Sequence, residues 1–427
     1  VAQGVEKEFK MKYGDKNSNV EKTPTTYDRS EPSLGKLPLL QVPEVWRSDL
    51  SNGIKLYGIE NNELPLVQFS MRINGGQSLD KTDKEGTALM LGAMLKEGTS
   101  SKTPAELEEA IDLLGSSISV SAGLEAMYIS GNTLAKNFDE TIALVTEMLT
   151  EPRWDEQAFD IVKNRRLNAI KQRKTSAQSI AFNALAKQLY GQGHPASTPI
   201  GGIESTVKSI TMDDIKNYFQ QNISPKVSHF HVAGKITQST IEESLQQLSD
   251  RWSGKEVNIP TISSSKAPSS SKVFFIDIPG SKQSAITVGT LTIPGGNPDL
   301  YKLNVVNNRL GGGMEARLMR TLRLEKGYTY GAGSFLRENT YQTPFYAYSQ
   351  VRSNVTLESL QIFKDIINGY AKSYNSEDLE LTKNKLIKQN ALRFERLGSL
   401  IDMLDTMSEF DYPDTYIQNQ QDILTSM

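Results

Sequence analysis

Hydrophobic and polar positions along the chain fall into strand-like and helix-like runs that occur twice in the same order. The first half is predicted to open with strands over 53–57 and 66–73 and a helix over 87–95. The second opens with strands over 272–278 and 284–291 and a helix over 300–310. Later helices over 138–149 and 154–174 are matched by helices over 356–370 and 376–393. Thr211-Met212-Asp213-Asp214 and Ser376-Glu377-Asp378 fit the starts of helices, because a short polar side chain there accepts a hydrogen bond from an otherwise unpaired backbone N–H.

A repeat this long is a domain duplication rather than a solenoid. Strand pairs alternating with helices predict an α+β fold of two homologous domains, each a mainly antiparallel sheet with helices packed on one face. The boundary between them is Asn258 to Lys272, a Ser- and Pro-rich stretch with few large apolar groups to pack. The expected organisation is a polar tether over 1–40, domains over 41–257 and 273–427, and a linker over 258–272. The first half ends in a helix after Ser205 and a strand over 227–232. The second half stops near the start of that element, and a truncated C-terminus is expected, because a missing strand would expose a sheet edge.

Composition narrows the functional classes. A chain of 427 residues has room for two cores. A net charge of −3 without a block of like charge suggests neither nucleic acid nor an anionic membrane as partner. No apolar run approaches the length of a membrane span. The absence of cysteine excludes thiolate chemistry and disulfides and suits either cytoplasm or periplasm. The chain opens at Val1 with no apolar leader core, which reads as a processed or trimmed start.

The most specific segment is Gly311 to Gly331, G-G-G-M-E-A-R-L-M-R-T-L-R-L-E-K-G-Y-T-Y-G. It resembles the substrate-binding segment in the second half of pitrilysin/insulinase-type zinc peptidases, the family that includes mitochondrial processing peptidase. The family's Arg and the Tyr seven residues later match Arg323 and Tyr330. Chemically the pair suits peptide-bond hydrolysis. A phenol O–H can donate to the oxyanion that forms on the scissile carbonyl, and a guanidinium can bind neighbouring carbonyls. Gly311, Gly312 and Gly313 match a loop that the substrate backbone approaches closely, since glycine tolerates φ > 0 and has no side chain in the way. Tyr328 stands where the family carries an aliphatic residue, so it is expected to alter a specificity pocket or compete with Tyr330.

The same family carries H-x-x-E-H in its first half. Counting back from Lys96-Glu97-Gly98-Thr99, which resembles the family's F-K-G-T, places the two His positions at Leu89 and Ala93 and the base at Gly92. The third ligand falls near Asn168-Ala169-Ile170, at Ala169. A catalytic zinc needs three protein ligands and a carboxylate base, and none of these positions supplies one. His229 and His231 share one face of a strand and could hold a metal at that spacing. Hydrogen-bonded imidazoles in a partly buried strand are the plainer reading. His194 lies in Tyr190-Gly-Gln-Gly-His194-Pro195, which resembles a structural loop of the family.

The resemblance thus implies the non-catalytic half of a zinc peptidase, forming half of a clamshell chamber and holding no cofactor of its own. Zinc is expected in a partner that carries H-x-x-E-H, either a separate subunit or the N-terminal half of a fused chain. Peptides would bind as an added strand along a sheet edge. The alternative is a structural or peptide-binding scaffold of the same fold with no part in catalysis. The resemblance favours the periplasm or cell envelope, with the cytoplasm also open.

Overall fold

Alternation along residues 66–74 buries Val67, Phe69, Met71 and Ile73 on one side and sends Ser70 and Arg72 to the other. This two-sided burial sets the architecture. The computed structural model describes residues 26–28, 30, 35, 38 and 40–427. The expected tether over 1–40 lies almost wholly outside the described residues. Pro38–Met427 forms one compact body.

The first half contains strands β1 (Trp46–Asp49), β2 (Lys55–Glu60) and β3 (Leu66–Asn74), then helices α1 (Thr87–Met94) and α2 (Pro104–Leu113). The hairpin β4 (Ser117–Ala122) and β5 (Ala126–Leu134) precedes α3 (Phe138–Thr150), α4 (Glu156–Arg173), α5 (Ala177–Tyr190), α6 (Glu204–Ser209) and α7 (Met212–Asn222). Strand β6 (Ser228–Gly234) and helix α8 (Gln238–Arg251) close this half. The second half runs β7 (Gln283–Leu291), α9 (Leu300–Gly311), the short α10 (Arg317–Met319), β8 (Thr329–Leu336) and β9 (Pro344–Arg352). It ends in α11 (Thr356–Ser373), α12 (Ser376–Ala391), α13 (Leu397–Phe410) and α14 (Tyr416–Ser426).

Helix starts follow their caps. The Thr211 hydroxyl accepts from Asp214 N, and the Asp214 carboxylate accepts in return from Thr211 N. In α12 the cap is Asn375, one residue before the expected Ser376. The Asn375 side-chain oxygen accepts from Asp378 N at 3.0 Å, and the Asp378 carboxylate accepts from Asn375 N, so Ser376 becomes the first helical residue.

The first sheet has six strands in the order β1-β2-β6-β3-β5-β4, antiparallel throughout except for the parallel pair β2 and β6. The second has three, β7-β9-β8, all antiparallel. The repeat accounts for this: β7, β8 and β9 stand in the places of β3, β4 and β5. The expected strand over 272–278 does not form, and Val273 and Phe275 are 83% and 84% exposed. Its counterpart β2 draws its ladder from β6, with Leu56 opposite Phe230. No counterpart of β6 exists among the described residues, so residues 272–278 have no row of backbone donors and acceptors to join.

Helices α1, α3 and α8 cover one face of the first sheet around Phe69, Phe138 and Phe230. The opposite face is covered by α13 from the second half, where Leu400, Met403, Leu404 and Met407 meet Tyr57, Ile59 and Ala233. Helix α5 of the first half returns the exchange by packing on β7. Each sheet is therefore sealed on its second face by one helix from the other half. The linker is docked rather than loose: Ser264 Oγ donates to Tyr341 O at 2.6 Å, and Ser265 N donates to Gln342 Oε1 at 3.0 Å.

Candidate functional site

Arg323 and Tyr330 flank the turn that leads into β8. Leu318 and Leu322 are fully buried and anchor α10 and the wider helical turn Arg320–Glu325. That widened turn brings Arg323 to the outside. Arg320 Nε, not Arg323, binds Glu325, at 3.1 Å. Arg323 makes no ion pair among the described residues, and its guanidinium meets only Met314 Sδ, at 3.8 Å. Tyr330 sits where the pairing of β8 with β9 slips between Thr329 and Ala332. Thr329 Oγ1 accepts from Gly331 N at 3.0 Å and donates to Gln350 O. Such irregularities re-aim side chains, and Tyr330 points outward, 89% exposed.

Tyr328 behaves differently. It is half-buried against the second core, beside Leu322 and Val351, and its backbone N–H donates to Leu322 O at 2.9 Å. The glycine run divides as well. A Cβ on Gly311 would lie 2.0 Å from Ser334 N, so the chain's own β8 makes the close approach there. Gly312 caps α9, packed on Asn308. Gly313, at φ 144°, is exposed. The backbone of this run is braced by Lys385, whose Nζ donates to Asn308 Oδ1 and Gly312 O at 2.9 Å each.

The positions that the resemblance assigns to metal are all on packed helices. Leu89, Gly92 and Ala93 lie on α1, and Ala169 lies on α4, which packs against it. A Cβ on Gly92 would be 3.3 Å from Val120 Cγ1, a tight contact that a side chain there would have to push aside. Two cations stand close by. Arg166 donates to Gly201 O at 2.7 Å and Ile200 O at 2.6 Å, while Arg173 donates to Ile200 O and Gly202 O. Leu89 Cδ2 lies against the same glycine, Gly201. Burial and the neighbouring Arg173 push the Arg166 guanidinium down to about 10. Neither arginine pairs with a carboxylate among the described residues. The local field and the donor set both oppose a divalent cation, so the site does not fit zinc. Among the described residues, no three His, Cys, Asp or Glu side chains are placed to hold a metal. Zinc titrated into this chain in a calorimeter is expected to give no stoichiometric tight-binding heat. A one-to-one site of nanomolar affinity would overturn this reading of α1 and α4.

The histidines are placed by packing. His194 Nδ1 accepts from Ala196 N at 3.1 Å, its Nε2 meets Ser263 O at 2.9 Å, and its ring stacks on Tyr190. It ties the loop to the linker. His231 is fully buried, with Nε2 2.7 Å from Ser408 Oγ on α13. His229 lies beside it, pushed down to about 4 by burial.

Sequence reasoning missed the polar cluster that these two histidines border. Arg72, 2% exposed, donates to Glu409 Oε1 at 2.7 Å and Tyr128 Oη at 2.5 Å, and lies 3.4 Å from Asp405 Oδ2. Its Nε donates to Asn74 Oδ1 at 2.9 Å. The available signals were an arginine inside an alternating strand and two acids four apart on one helix.

No helix of the described residues is long and apolar enough to cross a membrane. Residues 59–201 match the family model described as insulinase (peptidase family M16), and residues 209–386 match the peptidase M16 inactive domain. A non-peptidase homolog, YmxG, from Helicobacter pylori is 25% identical over 348 residues, covering 80% of this chain and 78% of its own length. A probable mitochondrial-processing peptidase subunit beta from Arabidopsis thaliana is 22% identical over 210 residues, 49% of this chain and 39% of that one. The crystal structure of a peptidase M16 inactive domain from Pseudomonas fluorescens superposes with a TM-score of 0.83 at 23% identity, covering 90% of this chain and 92% of that one.

Proposed function

The chain belongs to the insulinase family of peptidases, M16, as a non-catalytic member, and from that premise we propose that it is the half of a two-part zinc peptidase that presents Arg323 and Tyr330 to the substrate. The supporting observation is the exposure of this pair. A guanidinium without a carboxylate partner among the described residues and a phenol held out on a strand irregularity contribute nothing to the core on which they stand. That exposure supports a role in contacting something outside the chain.

In this reading a partner carrying H-x-x-E-H holds the zinc, the nucleophilic water and the base. This chain supplies hydrogen bonds. Arg323 N–H groups donate to substrate carbonyls on either side of the scissile bond, through charge-assisted bonds. The Tyr330 O–H donates to the carbonyl oxygen as negative charge develops on it. Substrates are extended peptides, whose unpaired backbone can lie along a strand edge as folded proteins cannot. The proposal includes action in the cell envelope.

The test uses quenched fluorescent peptides with this chain alone, with the H-x-x-E-H protein alone, and with the two together in zinc-containing buffer. Cleavage is expected in the mixture at a rate well above the sum of the separate proteins. A complex that forms but cleaves no faster than its zinc-bearing member would move the chain to a scaffold role.

A further inference from the structure

The repeat makes one comparison possible inside this molecule. Helix α9 packs on β8 and α12 as α1 packs on β4 and α4. The junction of α9, α12 and β8 is therefore the counterpart, in the second half, of the place that the family uses for metal in the first. The two junctions differ in what fills them. In the first half Gly92 packs against Val120, Leu89 packs against Gly201, and Arg166 clamps the adjoining loop. In the second the junction is open as a cleft of about 300 Å3.

The cleft has an apolar lining and an amide rim. Tyr301, Leu336 and Leu386 form its walls, with the half-exposed ring of Phe335 at one side. Asn304, Asn308 and Asn390 stand around it. Asn390 bonds the Tyr301 hydroxyl, and the Asn308 oxygen accepts from Lys385, so those two amides are held in place. The Asn304 side chain is exposed and has no protein hydrogen-bond partner among the described residues. No carboxylate lines the cleft. Gly312 contributes to its lining, so the cleft is continuous with the glycine run that precedes Arg323.

We infer that this cleft is a side-chain subsite of the peptide site, taking one aromatic or long aliphatic residue of an extended peptide while the Asn304 amide bonds the peptide backbone beside it. The inference rests on the peptide-binding reading above and adds the substrate class at one position. The volume is at the small end of ligand pockets and holds a single side chain rather than a cofactor. An apolar wall rewards burial of apolar area, and a free amide at the rim can donate to and accept from one peptide unit.

The experiment measures binding, not turnover, and uses the whole chain without a partner. Fluorescently labelled nonapeptide pools, each with one position fixed in turn as Phe, Leu, Ala or Asp, are titrated by anisotropy. At one position Phe or Leu is expected to bind about 10-fold tighter than Ala, the gain for filling an apolar pocket, and Asp is expected to bind no better than Ala. Asn304→Trp, a change at an exposed helix position, fills the cleft and is expected to bring the Phe-to-Ala ratio to about 1, by the loss of the same term. Asn304→Ala is expected to weaken all peptides about equally while keeping the ratio. A native chain that binds peptides without a preference at any position overturns the subsite, as does a preference that survives Asn304→Trp or favours Asp. Turnover in the mixture with no such preference would leave the two-part peptidase standing and remove only this cleft from it.

Discussion

Replacing Tyr330 with Phe is expected to lower kcat of the reconstituted peptidase about 100-fold with little change in KM, the usual loss for one oxyanion donor. The phenol oxygen is the only difference between the two residues, and Tyr330 is 89% exposed, so the fold is untouched. An interaction made mainly in the transition state appears in kcat and leaves ground-state binding alone. Arg323→Ala is expected to act on both constants, because its donors bind carbonyls that are present before and during the reaction. Two charge-assisted bonds of about 1.5–3 kcal/mol each set a loss of roughly 100-fold or more in kcat/KM. Neither variant is expected to change the melting temperature, since Arg323 is exposed and makes no ion pair among the described residues. Initial rates over a range of peptide concentrations decide the matter. Equal rates for native and Tyr330→Phe mixtures would mean that the Tyr330 phenol meets no developing charge.

The largest effect on stability is expected at Arg72, far from that pair. Asp405 and Glu409 lie one turn apart on α13, and both carboxyls are pushed up by burial, a shift that Arg72 opposes. Arg72→Met keeps the volume and removes the cation, leaving two part-buried carboxylates without a counter-charge. Breaking such a pair from one side typically destabilises by about 3–5 kcal/mol. Denaturant unfolding at pH 7 is expected to show a loss in that range. The dependence on pH has a definite sign. A carboxyl whose folded pKa is raised binds its proton in the folded state before the unfolded one, so its contribution falls as pH rises through that window. Without Arg72 the two pKa values rise further, so the variant is expected to lose least in mild acid and most above neutrality. Adding Asp405→Asn and Glu409→Gln to Arg72→Met is expected to recover much of the loss at pH 7. A single variant within 1 kcal/mol of native at pH 7 would show that water reaches the cluster and that α13 is held by Leu400, Met403 and Leu404 alone.

Much of this architecture was readable in the sequence. Alternation placed β3, β6 and β7 to within a residue or two, and 3.6-residue periodicity placed α1, α3, α4, α9 and α12 similarly, while α11 runs three residues past its expected end. These signals are local: a strand that buries one face, or a helix that buries one stripe, carries its own pattern. The strand expected over 272–278 had the right composition, Val273-Phe274-Phe275-Ile276, yet remains irregular. A strand is completed by a neighbour, and composition alone does not supply one.

The chain's chemistry divides along the same line. The expected loss of the zinc site rests on residue identity, because Leu89, Gly92, Ala93 and Ala169, at the positions the resemblance assigns to it, have no side-chain ligand atoms whatever the fold does with them. The sequence also settled the doubled α+β plan and singled out Arg323 and Tyr330 as a spaced pair. Which of the flanking residues are spent on the fold was decided only in three dimensions. Gly311 is pinned against Ser334, and Tyr328 is packed on the core, while Tyr330, two residues on, is turned out by a slip in strand register. The exchange of α5 and α13 between the halves, the Arg72 cluster that it buries, and the open cleft beside α9 join residues up to 337 positions apart. No periodicity records such meetings, because they depend on which faces the two sheets leave uncovered and on which helix arrives to cover them.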